Sequence, residues 1–360
     1  MEILENVPLK PYTSMYVGGA ARYFVEARSV HDIKDALVFA RQKRIPYFVL
    51  GGGSNILVSD SGFNGLVIHI ALKGRDVVQE NDQGMKLIVG AGENWDDLVK
   101  FCVEHGLYGV ENMSHVPGSV GASVVQNVGC YGQEVSDVVE SVRLLHVETL
   151  QEVVWANKEL RFSYRQSRLN RPEEDKGKYI VTAIIFSLKK NGELNLSYGD
   201  IQKYFELNPS ISPSLETVRQ AVTSIRDAKF PYPDSPQHGT AGSFWNADTV
   251  DEETYEQIIQ KLDSKGYKEK ASTLRKNKNV FEVAQGFKVP YAVLIETIGF
   301  KGRVQGGVKI LETHAGVINN FSGNGTAQQV FELSQQVIDA VKSGYGVVLK
   351  REPELVGVFS

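Results

Sequence analysis

Cysteine is scarce: only Cys102 and Cys130 occur, with no CxxC pair. That excludes a disulfide framework and the usual zinc-ligand spacings, so no metal is expected. The two thiols read as small buried side chains, and their scarcity fits a reducing compartment. An excess of basic charge is also missing, with a net charge of -4 and a pI near 6.0. Such a chain lacks the concentrated basic surface that a nucleic-acid backbone requires, and no nucleic-acid partner is expected. A long apolar run is lacking as well. The longest stretch without a formal charge, residues 112–133, holds Pro117, four glycines, Gln126 and Asn127, a composition that excludes a membrane helix. The opening MEILENVPLKPYTSM carries acids early and has no apolar core, so it does not read as a secretory signal. Neither an internal repeat nor a low-complexity tract is visible. The expectation is a cytoplasmic protein with no membrane partner.

What is present is a chain of 360 residues, long enough for two or three compact units. Residues 30–44 place Ile33, Ala36, Leu37 and Ala40 at helical spacing. Residues 45–50, 66–72 and 85–92 read as strands, and 94–106 as a helix stopped by Gly106. Further strands are predicted at 141–148 and 179–188, and helices at 215–230, 251–265 and 326–343. Residues 308–320 and the C-terminal segment look strand-like. Helices and strands do not alternate regularly enough for one doubly wound sheet, so the class is α+β.

Two glycine clusters stand out. Gly51-Gly52-Gly53-Ser54-Asn55 follows a predicted strand. Consecutive glycines expose backbone N–H groups and admit positive φ, the geometry of an anion nest suited to a pyrophosphate. A tight structural turn would have the same spelling. A dinucleotide fingerprint is excluded: Gly51 and Gly53 begin GxGxxG, but Ile56 fills the last place and no helix follows. The second cluster, VPGSVGASVVQNVGCYG at 116–132, offers Ser119, Gly121, Ser123, Gln126 and Asn127 without charge. It suits a diphosphate and the polar edge of a flavin, or an ordinary glycine-rich loop.

At these clusters the sequence resembles the UDP-N-acetylenolpyruvoylglucosamine reductase (MurB) family. The likeness runs in order from VGGAARYF (17–24) to EPELVG (352–357). It implies a fold class of α+β type: an FAD-binding domain of the vanillyl-alcohol-oxidase (PCMH) type in two subdomains, plus an α+β substrate-binding domain. The implied divisions are 1–70, joined by 353–360, then 71–225, then 226–352. The implied cofactor is FAD, held by Gly51, Gly52, Gly53, Ser54, Asn55, Pro117, Gly118, Ser119, Gly121, Ala122, Gln126, Asn127, Gly129 and Tyr131. NADPH is the implied reductant, a UDP-sugar the implied substrate, and a monomer the implied state.

Three further blocks carry the implied chemistry. RFSYRQSRL (161–169) resembles the family's Tyr-Arg-x-Ser block and makes Arg165 the catalytic arginine. A guanidinium there suits a substrate carboxylate and a developing enolate, although among neighbouring arginines it reads equally as a surface residue. AGSF (241–244) supplies Ser243 as proton donor, in a loop that by itself carries no catalytic signature. EPE (352–354) supplies Glu354, as a neutral hydrogen-bond donor whose pKa burial would raise. Tyr198, Lys229, Asn246 and His314 carry over as substrate contacts. Two departures accompany these matches. The serine loop runs Gly-Ser-Phe-Trp-Asn-Ala-Asp where the family usually has Gly-Ser-Phe-Phe-Lys-Asn-Pro, so the amide of Asn246 comes one place early. His115-Val116 stands before the Pro-Gly turn, where the family has a small residue.

Overall fold

The computed structural model describes residues 1–283 and 286–360. The chain forms two compact units. The first comprises Met1–Val7, Ala21–Gly53 and Phe63–Tyr232; the second comprises Pro8–Ala20, Ser54–Gly62 and Pro233–Ser360.

In the first unit, Leu4–Pro8, Ala20–Ala27, Phe63–Ile70 and Tyr47–Leu50 form a four-stranded sheet in that order. The last three run parallel. A parallel neighbour needs a crossover, and the helix Val30–Lys43 follows Ala20–Ala27 to supply one. Ser29 starts it with a reciprocal capping box to Asp32. The predicted face of Ile33, Ala36, Leu37 and Ala40 is buried.

The same unit holds a five-stranded antiparallel sheet. Its order is Glu152–Ala156, Val139–His146, Tyr179–Lys189, Gly84–Gly90, Arg75–Glu80. Met85, Leu87 and Val89 alternate inward, as period-two patterning requires. They join Val25, Ile33 and Leu66 in one core, so both sheets share it. The helix Trp95–Glu104 is capped by Asn94, and Gly106 at φ 66° lies just beyond its end. The helix Leu215–Lys229 is capped by Ser214.

In the second unit, Gly239–Ser243, Val317–Asn320, Val308–Ile310 and Val304–Gln305 form an antiparallel sheet. The strand-like segment 308–320 is therefore two strands joined by a turn that contains His314. The helix Ala327–Tyr345 begins on the Asp60 carboxylate, which accepts from the N–H groups of Ala327 and Gln328 at 2.9 Å each. Near the C-terminus, Leu349–Arg351 pairs with Trp245–Ala247, and Glu354–Val356 lies parallel to Ile56–Val58.

Short helices at Val120–Val125, Gly199–Leu207, Lys268–Lys276 and Tyr291–Thr297 were not read from the sequence. Segments this short carry little periodic signal and are stabilised by tertiary packing. Among the described residues, no helix is long and apolar enough to cross a membrane.

Candidate active site

In the first unit the two glycine clusters meet backbone to backbone. A Cβ on Gly52 would lie 2.6 Å from Gly118 Cα, and one on Gly51 would lie 2.6 Å from Ser119 Oγ. Any side chain would force the loops apart, so the glycines are required by closeness. The Gly52 N–H donates to Ser119 Oγ at 3.2 Å. Gly53 (φ 62°) and Gly118 (φ 128°) hold left-handed backbone that disfavours other residues. Gly121 has the same constraint: its N–H donates to Ala91 O at 2.8 Å, and its Cβ would lie 2.6 Å from Ala91 Cβ. The result is a cradle of bare backbone with Gly52 and Ala122 exposed, which fits a diphosphate-bearing cofactor.

The second cluster also sets up the predicted arginine. Asn127 is fully buried at φ 47°. Its Nδ2 donates to Glu134 Oε2 at 2.7 Å and to Ser163 O at 3.1 Å, while its Oδ1 accepts from Ser136 N at 3.1 Å. Its side chain is thus committed inside the protein. Ser163 and Gln166 exchange two backbone hydrogen bonds of 3.0 Å, making a tight hairpin with Tyr164 and Arg165 at its tip. Arg165 sits at φ 55°, and its carbonyl accepts from Asn170 Nδ2 at 3.2 Å. Its Nη2 donates to Gly129 O at 2.9 Å, and its guanidinium lies 4.9 Å from the Tyr164 ring centre. A strained non-glycine residue held from several sides is the kind of outlier found at functional sites.

Beyond Gly129 come the two predicted substrate contacts of this unit. Tyr131 is buried and meets Tyr198 edge to face at 5.1 Å. Lys229 Nζ lies 5.5 Å from the Tyr131 ring centre and 2.6 Å from Asp200 Oδ2. Burial pushes the Tyr131 phenol up. The structure therefore groups Gly129, Tyr131, Arg165, Tyr198 and Lys229.

It adds one residue that sequence reading missed. Arg226 is 9% exposed, donates Nε to His115 O at 2.8 Å and Nη1 to Cys130 Sγ at 3.4 Å, and lies over the Phe230 ring. Burial pushes the Cys130 thiol up, against the pull of Arg226. The available signal was spacing: Arg226 is three residues before Lys229, on the same helix face.

In the second unit, Ser243, Asn246, His314 and Glu354 each lie within about two residues of Phe244 or of the residues bonded to its backbone, and Phe244 is fully buried. Its N–H donates to Gly316 O at 2.8 Å, and its carbonyl accepts from Glu352 N at 3.0 Å. Ser243 is exposed, precedes Phe244 and faces Val317 in register, with Gly242 at φ 70° before it. His314 Nδ1 accepts from the Gly316 N–H at 3.1 Å. Asn246 sits opposite Lys350. The Glu354 N–H donates to Asn55 O at 3.0 Å, and Asn55 Nδ2 donates to Glu352 O at 3.4 Å. The Glu354 side chain is exposed, where the sequence reading expected burial. The departure after Ser243 has a packing reason: Trp245 is fully buried, stands 5.3 Å from Phe244 and donates Nε1 to Ser334 O at 3.4 Å.

Comparison with known proteins agrees with both units. Residues 21–149 match the FAD binding domain family, and residues 234–356 match the C-terminal domain of UDP-N-acetylenolpyruvoylglucosamine reductase. The chain is 35% identical to the UDP-N-acetylenolpyruvoylglucosamine reductase of Flavobacterium johnsoniae, over 99% of this chain and 100% of that protein. The chain belongs to the UDP-N-acetylenolpyruvoylglucosamine reductase family. The reductase of Bdellovibrio bacteriovorus is likewise 35% identical, over 98% of this chain and 99% of that one. The crystal structure of the Thermus caldophilus reductase superposes with a TM-score of 0.62 at 24% identity, covering 99% of this chain and 98% of that one. The α+β class with an FAD-binding domain is therefore as the resemblance implied, and the chain is a flavoprotein oxidoreductase of this family.

Proposed function

We propose that this enzyme reduces UDP-N-acetylglucosamine enolpyruvate to UDP-N-acetylmuramate in peptidoglycan synthesis, with NADPH as reductant. One observation carries the reading: Arg165 is bonded to Gly129, in the loop that leads from the glycine cradle to Tyr131, whose ring has Lys229 beside it. A guanidinium and an ammonium placed there suit a ligand with both a carboxylate and a diphosphate.

Gly51, Gly52, Gly53, Ser54, Asn55, Pro117, Gly118, Ser119, Gly121, Ala122, Gln126, Asn127, Gly129 and Tyr131 would hold the FAD. When bound, the flavin supplies hydride, taken from NADPH, to the enolpyruvyl double bond. The chain's own residues do the rest. Arg165 binds the substrate carboxylate and stabilises the negative charge that develops on it as an enolate. Ser243 delivers a proton to the carbon next to the carboxylate, as an acid. Glu354, in its protonated form, donates a hydrogen bond to the same enolate. Lys229 suits the diphosphate as a point charge and His314 faces it, with Tyr198 and Asn246 as further substrate contacts. We further propose FAD-binding subdomains at 1–70, joined by 353–360, and at 71–225, a substrate-binding domain at 226–352, and a monomer working in the cytoplasm.

The test is an anaerobic spectrum of the purified protein. Bound flavin should bleach with NADPH and recover on addition of the enolpyruvyl substrate. Rapid oxygen consumption with a simple sugar and no response to NADPH would instead mark a sugar oxidase. A colourless protein that still binds a UDP-sugar would mark a binding protein without redox chemistry.

A further inference from the structure

We infer that His115 is a positioning residue that ties the glycine turn at residues 117–119 to the end of the helix Leu215–Lys229, and so holds the cofactor cradle in shape. The inference rests on the flavin reading above. His115 lies two residues before Pro117, in left-handed backbone at φ 60°. Its N–H donates to Asp96 Oδ1 at 2.5 Å, and its carbonyl accepts from Arg226 Nε at 2.8 Å. Asp96 is itself fixed by Arg219, through bonds of 2.7 and 2.8 Å. A glycine would make both backbone bonds and adopt this φ without strain. The imidazole therefore owes its place to what the ring touches.

The ring touches two groups. Nε2 lies 2.9 Å from Asp227 Oδ1, and the ring centre lies 4.3 Å from that of Tyr232, with the planes 33° apart. Asp227 sits in the last turn of its helix, where a carboxylate opposes the helix dipole. Two locally unfavourable choices, a histidine at positive φ and an aspartate at a helix C-terminus, offset each other through one contact. What that contact steadies is the turn whose Gly118 and Ser119 meet Gly51 and Gly52. The His115–Asp227 pair is thus one step from the cradle.

The test titrates FAD into the apoproteins of the wild type, His115→Gly, Asp227→Ala and the double variant, following flavin fluorescence. Each single change should raise the dissociation constant about tenfold, and the double change should do no more than His115→Gly, because the His115–Asp227 contact is already lost in each single variant. Apoprotein melting temperatures separate this from a merely structural role, which would move the melting temperature and leave the dissociation constant. An unchanged dissociation constant in either single variant overturns the inference, as does about a hundredfold rise in the double. A wild type that binds no FAD overturns the flavin reading and this inference with it. A wild type that binds FAD, with variants that match it, overturns the tie alone.

Discussion

Arg165 and Gly129 are joined by a hydrogen bond of 2.9 Å from the guanidinium Nη2 to the carbonyl oxygen. The arginine at the tip of one hairpin is thereby registered against the loop that continues from the glycine turn. A guanidinium so fixed is pre-organised to meet a carboxylate, and pre-organised charge is worth most in the transition state. Arg165→Ala should lower kcat by about a hundredfold or more while FAD stays bound. Turnover, together with the flavin absorbance of the purified variant, checks this; a colourless apoprotein would contradict it.

Ser243 is exposed at the end of a strand, with no core packing to lose. Ser243→Ala should leave flavin reduction by NADPH within about twofold of wild type and slow reoxidation by the enolpyruvyl substrate by about a hundredfold or more. Stopped-flow absorbance resolves the two half-reactions, and equal losses in both would remove the proton-donor role.

Gly52 faces the Gly118 backbone so closely that an added Cβ would stand 2.6 Å from Gly118 Cα. Neither partner is a flexible side chain that can swing aside. Gly52→Ala should cost about 1–3 kcal/mol in stability and at least about tenfold in FAD affinity. Denaturant unfolding and flavin content per protein measure the two effects.

Asn127 spends its whole amide on Glu134, Ser163 and Ser136. Removing it leaves partly buried polar groups without this partner and frees the Arg165 hairpin. Asn127→Ala should destabilise the protein by about 2–3 kcal/mol. It should also reduce turnover, as Arg165→Ala does, which urea melts and steady-state rates will show.

Asp96 contributes to the acid limb of stability. Burial raises its pKa, but hydrogen bonds from Arg219 and the His115 N–H outweigh burial and hold it below its ordinary 3.8. A depressed carboxylate contributes stability above its unfolded pKa and loses it as pH falls through the folded one. The contribution should therefore be complete above about pH 5 and fade below about pH 4. Asp96→Asn should lower stability at neutral pH and flatten that acid limb, as thermal melts across pH will report.

The elements with strong local periodicity could be read from sequence. The helix at Val30–Lys43 shows its buried face in the spacing of Ile33, Ala36, Leu37 and Ala40. The strand at Gly84–Gly90 shows its own in Met85, Leu87 and Val89. The glycine clusters and the blocks around Arg165, Ser243 and Glu354 could be read too, because close backbone approach and family motifs are spelled in consecutive residues. Short helices such as Val120–Val125 could not, because context rather than propensity holds them.

By itself, then, the sequence determined the α+β class and the family, and it supplied the residues proposed to carry the chemistry. Only the tertiary structure decided which of them share surroundings. Glu354–Val356 lies beside Ile56–Val58, nearly the whole chain away, through a sheet register that no local spacing encodes. Arg226 looked like any helix arginine until folding buried it against His115 and Cys130. Trp245 replaced an expected loop residue because its ring fills a core made by a helix about ninety residues further on. Local periodicity is a property of neighbours in the chain, whereas burial and charge environment are properties of neighbours in space.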